Sequence, residues 1–367
     1  MDHHGRQQRL QNSLSTHRLD ALLVTHLPNI NYLCGFTGSA GALLLTDSKS
    51  VLFTDGRYTA QARSQVKSAQ IVIGSKGPLA GAAQWLTMRG QTRKAPATTP
   101  IRVGIEGEHI SVAARSRLAA ILPSGFRLRE APDLVERARM VKDAQEIERI
   151  RAAVLLGAGL FDRALEVIRP GVKETEVAAE MEYAAREAGA EGMSFPTIVA
   201  SGERSALPHG RASRSAVPAK GFVVCDFGVI LTDYCSDMTR TVHVGCPSPE
   251  EREGYQAVRE AQQAAVDAVR PGTSVGEVDG AARKSLRNSG LGRYFTHSTG
   301  HGVGLEIHEA PRVAGGQSEI LQPGMVITVE PGIYLLGRWG VRIEDMVLVT
   351  EQGCEVLTPT SKELVEI

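Results

Sequence analysis

Five side chains in the last third of the chain have the chemistry of metal ligands and fall in a paired order: Asp226, Asp237, His301, Glu330 and Glu344. Each carboxylate lies in an apolar, strand-like run, such as Val223-Val-Cys-Asp226-Phe or Ile327-Thr-Val-Glu330-Pro-Gly. A charge in such a run is costly unless something neutralises it. The midpoint of 226 and 237 falls between Leu231 and Thr232. The midpoint of 330 and 344 falls on Gly337, a residue suited to a turn. Reversals there would set Asp226 opposite Asp237 and Glu330 opposite Glu344. Directly opposed residues of an antiparallel pair lie about 4.5–5.5 Å apart at Cβ, where like charges repel. A divalent cation removes that penalty. One acid on a strand is ordinarily a solvated surface group, but four with apolar flanks on both faces imply buried strands. Pro331 cannot donate to a ladder, so pairing beside Glu330 must be irregular.

The run His297-Ser-Thr-Gly-His301-Gly-Val-Gly-Leu-Glu-Ile-His308-Glu309 lies between the two acid pairs. Its glycines disfavour a helix and allow close backbone approach around His301. A neutral imidazole suits a divalent ion. His297 would share a face with His301 on an extended strand, whereas His308 is at an odd offset, so convergence of all three needs an irregular backbone. His209 is a loop histidine without a local signal, and His243 reads as structural. Four carboxylates and one imidazole make a hard, oxygen-rich set, matching Mn²⁺ first, with Co²⁺, Zn²⁺ or Fe²⁺ as alternatives. That is too many acids for one ion, so two are expected, about 3.5–4 Å apart and sharing carboxylates. The chemistry is metal-assisted hydrolysis. Asp226-Phe-Gly is not read as a kinase triplet, because no glycine-rich nucleotide loop accompanies it.

The elements that must position these residues follow from periodicity. Strand and helix signals alternate from Leu19 to Leu122, giving an α/β domain over 1–135, with a polar loop at 90–100. The segment 143–367 reads as an α+β domain. Asp143 with Glu146 is a capping-box start for a long helix that ends at Pro170-Gly171. Further helices are expected over 175–188, 249–269 and 275–289, packed on one face of a mostly antiparallel sheet. A helix pair followed by an acid-bearing hairpin occurs twice, a loose internal echo. His3 and His4 read as part of a polar tail. Lys plus Arg and Asp plus Glu are both 41, so formal net charge is zero and nothing favours nucleic acid or an anionic membrane. No apolar run approaches the roughly 20 residues of a membrane helix. The absence of an apolar leader and five cysteines without CxxC spacing are expected of a cytoplasmic protein.

The histidine run closely resembles the signature of the Xaa-Pro peptidases, aminopeptidase P and prolidase. Asp226-Phe-Gly with Tyr234-Cys-Ser-Asp237-Met-Thr-Arg-Thr, Thr328-Val-Glu330-Pro-Gly-Ile-Tyr, and Val341-Arg-Ile-Glu344-Asp resemble the other blocks of that family. The resemblance implies a creatinase-like N-terminal α/β domain and a C-terminal pita-bread domain. It implies Asp226, Asp237, His301, Glu330 and Glu344 as ligands of two metal ions. His209 and His308 would stand near the scissile peptide, and His297 and Arg342 would line the proline side of the site. A homodimer or larger assembly is implied as well. The expected reaction is hydrolysis of the bond before a proline in second position. Glu330 would pass a proton from water to the leaving nitrogen, and His308 would help hold the oxyanion. Val199-Ala-Ser-Gly-Glu203 and Gly35-Phe-Thr-Gly-Ser39 favour aminopeptidase P, with prolidase as the alternative. A metal-free creatine amidinohydrolase or a non-catalytic peptide-binding relative is disfavoured, since all five ligands are kept.

Overall fold

The computed structural model describes residues 1–91 and 100–367, so most of the loop expected at 90–100 lies outside the described residues. The chain divides into two compact units, Met1–Arg139 and Met140–Ile367. Among the described residues no helix is long and apolar enough to cross a membrane.

The first unit is built on a six-stranded mixed sheet. Its strand order is Gln70–Ile73, Ser50–Thr54, Ala42–Thr46, Ala21–Val24, Ile101–Glu106 and Phe126–Ala131. The three inner strands joined by antiparallel ladders are nearly continuous apolar runs, and Leu23, Leu44, Phe53 and Val103 share one core with Ala83 and Leu86 of the helix Pro78–Gln91. The edge strand Phe126–Ala131 escaped the sequence reading because its middle is charged and exposed. The polar-tail reading of His3 is corrected. Residues His3–Ser13 form a helix, and buried His3 donates from Nδ1 to Tyr32 O at 3.2 Å. Arg6 and Gln7 of that helix also bond to the carbonyls of Tyr32 and Leu33. The helix buries polar side chains that satisfy a neighbouring helix end, which hydrophobic periodicity does not register.

In the second unit the helices Ala144–Val167 and Glu174–Glu187 precede the strands Gly221–Phe227 and Met238–Val244. Helices Pro249–Ala268 and Val275–Asn288 precede Val326–Val329, Gly332–Leu335, Trp339–Arg342 and Asp345–Val349. Capping boxes start three of these helices, Asp143 with Glu146, Ser248 with Glu251 and Ser274 with Glu277. Every strand-to-strand ladder of the unit is antiparallel.

Alternation along the strands sorts side chains between faces. Val223, Cys225 and Phe227 join one core with Phe161 and Met181 of the first helix pair. Ile327, Val329, Ile343 and Val347 join another with Val258 and Val278 of the second pair. Asp226 therefore points away from its helices, as do Glu330, Arg342 and Glu344 from theirs. The inner faces left by this sorting carry the polar chemistry.

Candidate metal centre

Of the four acids, only Asp226 sits inside a strand. Asp237, Glu330 and Glu344 occupy the breaks between strands, which corrects the expectation of four acids within strand runs. The first hairpin also reverses later than expected. Thr232 and Asp233 both take positive φ, +52° and +71°, and Leu231 pairs with Tyr234. That two-residue turn makes Thr239, not Asp237, the partner of Asp226. Asp237 lies two positions away along the strand, so the acids share a face diagonally instead of directly. The ladder is interrupted at Gly228, where a Cβ would run into the Ser236 carbonyl oxygen.

The second hairpin turns where expected, at Gly337 with φ +74°. Its two ladders, 326–329 with 345–348 and 332–335 with 339–342, share one register about that glycine. Between them Glu330 N donates instead to Thr299 O at 2.8 Å, and Glu344 N to Thr239 O at 3.1 Å. The missing N–H of Pro331 splits the ribbon at the two glutamates.

His301 is held on the strand Gly300–Gly302, with a bulge between His301 and Gly302. Its Nδ1 is 3.0 Å from Gly302 O. A carbonyl only accepts, so Nδ1 carries the proton and Nε2 is bare. Nε2 lies 3.6 Å from Asp237 Oδ2 and 3.5 Å from Glu330 Oε1. The irregular backbone expected for convergence is this bulge, and the rings of His301 and His308 come to 4.4 Å.

All nine residues singled out in the sequence, Asp226, Asp237, His301, Glu330, Glu344, His209, His308, His297 and Arg342, line one cavity of about 610 Å³. Ligand atoms of Asp237, His301 and Glu344 all lie within 4.8 Å of one another. Asp226 Oδ2 accepts from Arg342 Nη2 at 2.5 Å. Burial, then the neighbouring acids, push the Asp237 and Glu344 carboxyls well above the usual range, and burial raises Glu330 to about 8. Burial lowers His301 to about 4, keeping it neutral. Two carboxylate oxygens, Asp237 Oδ1 and Glu344 Oε1, are buried with no hydrogen-bond partner. Bare acceptors crowded beside a bare imidazole nitrogen are what a divalent cation satisfies, so the residues present fit a metal.

Two functional groups were missed in the sequence. Tyr334 OH accepts from Arg342 Nη1 at 2.7 Å and donates to His297 Nε2 at 2.9 Å. Its signal was available, because the register about Gly337 puts Tyr334 diagonal to Arg342 on one face. Thr239 donates to Glu344 Oε2 at 2.7 Å and accepts from Arg342 Nε at 3.1 Å. A correctly placed first turn would have identified it, directly across from Asp226.

Residues 148–351 match the model of metallopeptidase family M24, and residues 6–141 match the creatinase/prolidase N-terminal domain. The chain is 48% identical over 232 residues to the Xaa-Pro dipeptidase of Pyrococcus furiosus, covering 63% of this chain and 67% of that protein. The structure is similar to the Xaa-Pro dipeptidase from Bacillus anthracis, with a TM-score of 0.93, 38% identity and 100% of both chains covered. It is also similar to an X-Pro aminopeptidase from Thermotoga maritima, with a TM-score of 0.87, 36% identity, and 97% and 100% of the two chains covered. The second unit accordingly has the pita-bread fold, and the chain is a hydrolase of a family that works with divalent metal. The chain belongs to metallopeptidase family M24, among the Xaa-Pro peptidases that carry the creatinase/prolidase N-terminal domain.

Proposed function

We propose that this protein is an Xaa-Pro dipeptidase, which reverses the order of preference drawn from the short motifs at 35–39 and 199–203. Relatives named as Xaa-Pro dipeptidases support the reading over a large share of the chain. The observation that carries it is the cavity wall. Arg211 and Arg312 line it, and their guanidinium groups make no hydrogen bond or ion pair among the described residues. Two unpaired guanidinium groups suit the free carboxylate of a dipeptide, which a longer peptide does not offer at that position.

In this reading Asp226, Asp237, His301, Glu330 and Glu344 hold two divalent ions, Mn²⁺ by the hardness of the donors. When bound, the ions supply the Lewis acidity that makes water nucleophilic near neutral pH. Glu330, beside the bare Nε2 of His301, takes the proton released from the attacking water and delivers it to the departing proline nitrogen. His308, beside His301, donates to the oxyanion as the carbonyl carbon becomes tetrahedral. Arg342, Tyr334 and His297 form a continuous hydrogen-bonded wall for the proline ring. A homodimer or larger assembly is part of the same reading. The free cysteines, three of them buried, support a cytoplasmic location.

The test is to assay Mn²⁺-loaded protein on Leu-Pro and on Arg-Pro-Pro. The dipeptide is expected to be cleaved and the tripeptide spared. Faster turnover of the tripeptide would restore the aminopeptidase reading.

A further inference from the structure

The two acid-bearing hairpins lie in different sheets and meet at Thr239 and Glu344. Glu344 N donates to Thr239 O at 3.1 Å, and Thr239 Oγ1 donates to Glu344 Oε2 at 2.7 Å. Immediately behind this joint is Arg240, 1% exposed and absent from the cavity lining. Its Nη1 donates to Thr239 O at 2.9 Å and to Glu344 O at 2.5 Å. Its Nη2 donates to Asp345 Oδ1 at 2.7 Å and to Thr360 O at 2.6 Å, and its Nε to Ser361 O at 2.9 Å. A guanidinium has five N–H donors in a fixed plane, so every one is used. Asp345 is held on its other oxygen by Gln262 Nε2 at 2.8 Å and Lys362 Nζ at 3.2 Å.

The carbonyls at 360 and 361 belong to a segment beyond residue 351, where the family match ends. That segment is bonded to the same two hairpins. Leu357 N donates to Met346 O at 2.8 Å, His243 N to Val365 O at 2.9 Å and Ile367 N to His243 O at 2.9 Å.

We propose that Arg240 is a positioning residue for the metal centre, and that segment 357–367 is part of the support through which it acts. The fork ties the backbone of Glu344 to that of Thr239 and anchors both to the segment. The carboxylates on the two hairpins are thereby presented at a fixed separation. The inference rests on the metal-binding reading above. Groups that orient ligands from behind are commonly worth about 10–100-fold in metal affinity. A lysine retains the charge but can satisfy three of the five acceptors at most.

The experiment measures Mn²⁺ affinity by chelator competition, and the melting temperature of the apoprotein, on the full chain and its variants. Arg240→Lys is expected to raise the Mn²⁺ dissociation constant about tenfold or more, with Asp345→Asn moving the same way. Turnover of Arg240→Lys should recover toward wild type at saturating Mn²⁺. Arg252→Ala removes the exposed 2.8 Å pair with Glu366 at the far end of the segment and a 3.9 Å contact with Cys246 Sγ, and should change affinity less than about twofold. Arg240→Lys with lowered melting but affinity within about twofold of wild type would overturn the proposal, leaving Arg240 a purely structural residue. If that variant does not fold, Asp345→Asn decides by the same criterion. Wild-type protein that binds no Mn²⁺ would overturn the metal-binding reading, and the inference with it. Wild-type binding matched by both variants would overturn this inference alone.

Discussion

Removing metal from this protein should make its stability fall as pH rises, the reverse of the usual effect of buried carboxylates held by cations. The Glu330 carboxyl is raised to about 8 by burial, and those of Asp237 and Glu344 are raised in the same direction. In each case the folded apoprotein keeps a proton that the unfolded chain has lost. Stability is therefore fully present below the unfolded carboxyl value and is lost as pH rises through the folded one. For Glu330 alone, displacement from 4.5 to about 8 amounts to about 5 kcal/mol in total, of which about 2 kcal/mol falls between pH 6.5 and 8.5. At roughly 2–4 °C per kcal/mol for a domain of this size, the apoprotein should melt about 4–8 °C lower at pH 8.5 than at pH 6.5. His297 and His301, lowered to about 4 by burial, act with the opposite sign. At the unfolded histidine value of about 6.5 each still has about 0.4 kcal/mol to gain, so together they offset under half of the Glu330 contribution, to which Asp237 and Glu344 add in the same direction. Mn²⁺ requires deprotonated ligands and should flatten or invert the slope. Glu330→Gln, though stripped of turnover, should melt higher than wild-type apoprotein at pH 8.5 and show a shallower slope. Differential scanning fluorimetry on chelator-treated and Mn²⁺-loaded protein reads both effects. A flat or rising apoprotein profile between pH 6.5 and 8.5, or an unchanged slope in Glu330→Gln, would refute the electrostatic account of the site.

Two further outcomes follow from the geometry. His308→Ala should lower kcat about 100-fold with little change in KM and unchanged Mn²⁺ stoichiometry, since in the proposed mechanism the ring meets the substrate oxygen as charge develops; steady-state kinetics with metal analysis would show it, and an unchanged kcat would remove His308 from that role. Gly228→Ala should cost about 1–3 kcal/mol in urea unfolding and lower Mn²⁺ stoichiometry, because the new methyl must push the Ser236 carbonyl away next to Asp237.

Much of the site was legible because strand geometry is periodic. Once Gly337 was taken as the turn, the register placed Glu330 and Glu344 together, and Arg342 on the face of Glu344. The first hairpin was less legible. A two-residue turn through Thr232 and Asp233, neither a glycine, gives no strong positive-φ signal, and an error of one residue moves each cross-strand partner by two. The N-terminal helix was lost for a different reason. His3, Arg6 and Gln7 are buried through hydrogen bonds to a helix end 26 to 29 residues away, and no local pattern encodes that partnership.

By itself the sequence determined the type of chemistry. Hard oxygen donors, an imidazole among glycines and apolar flanks suit a cation wherever they are brought together, because a buried like-charged cluster must otherwise take up protons. Tertiary structure decided which donors meet and how. It left Asp237 Oδ1 and Glu344 Oε1 bare, turned Asp226 to Arg342, and closed the seam between hairpins with Arg240 and the segment at 357–367. These contacts join residues more than 100 positions apart, and such distances are set by how sheets pack, which spacing along a chain does not specify.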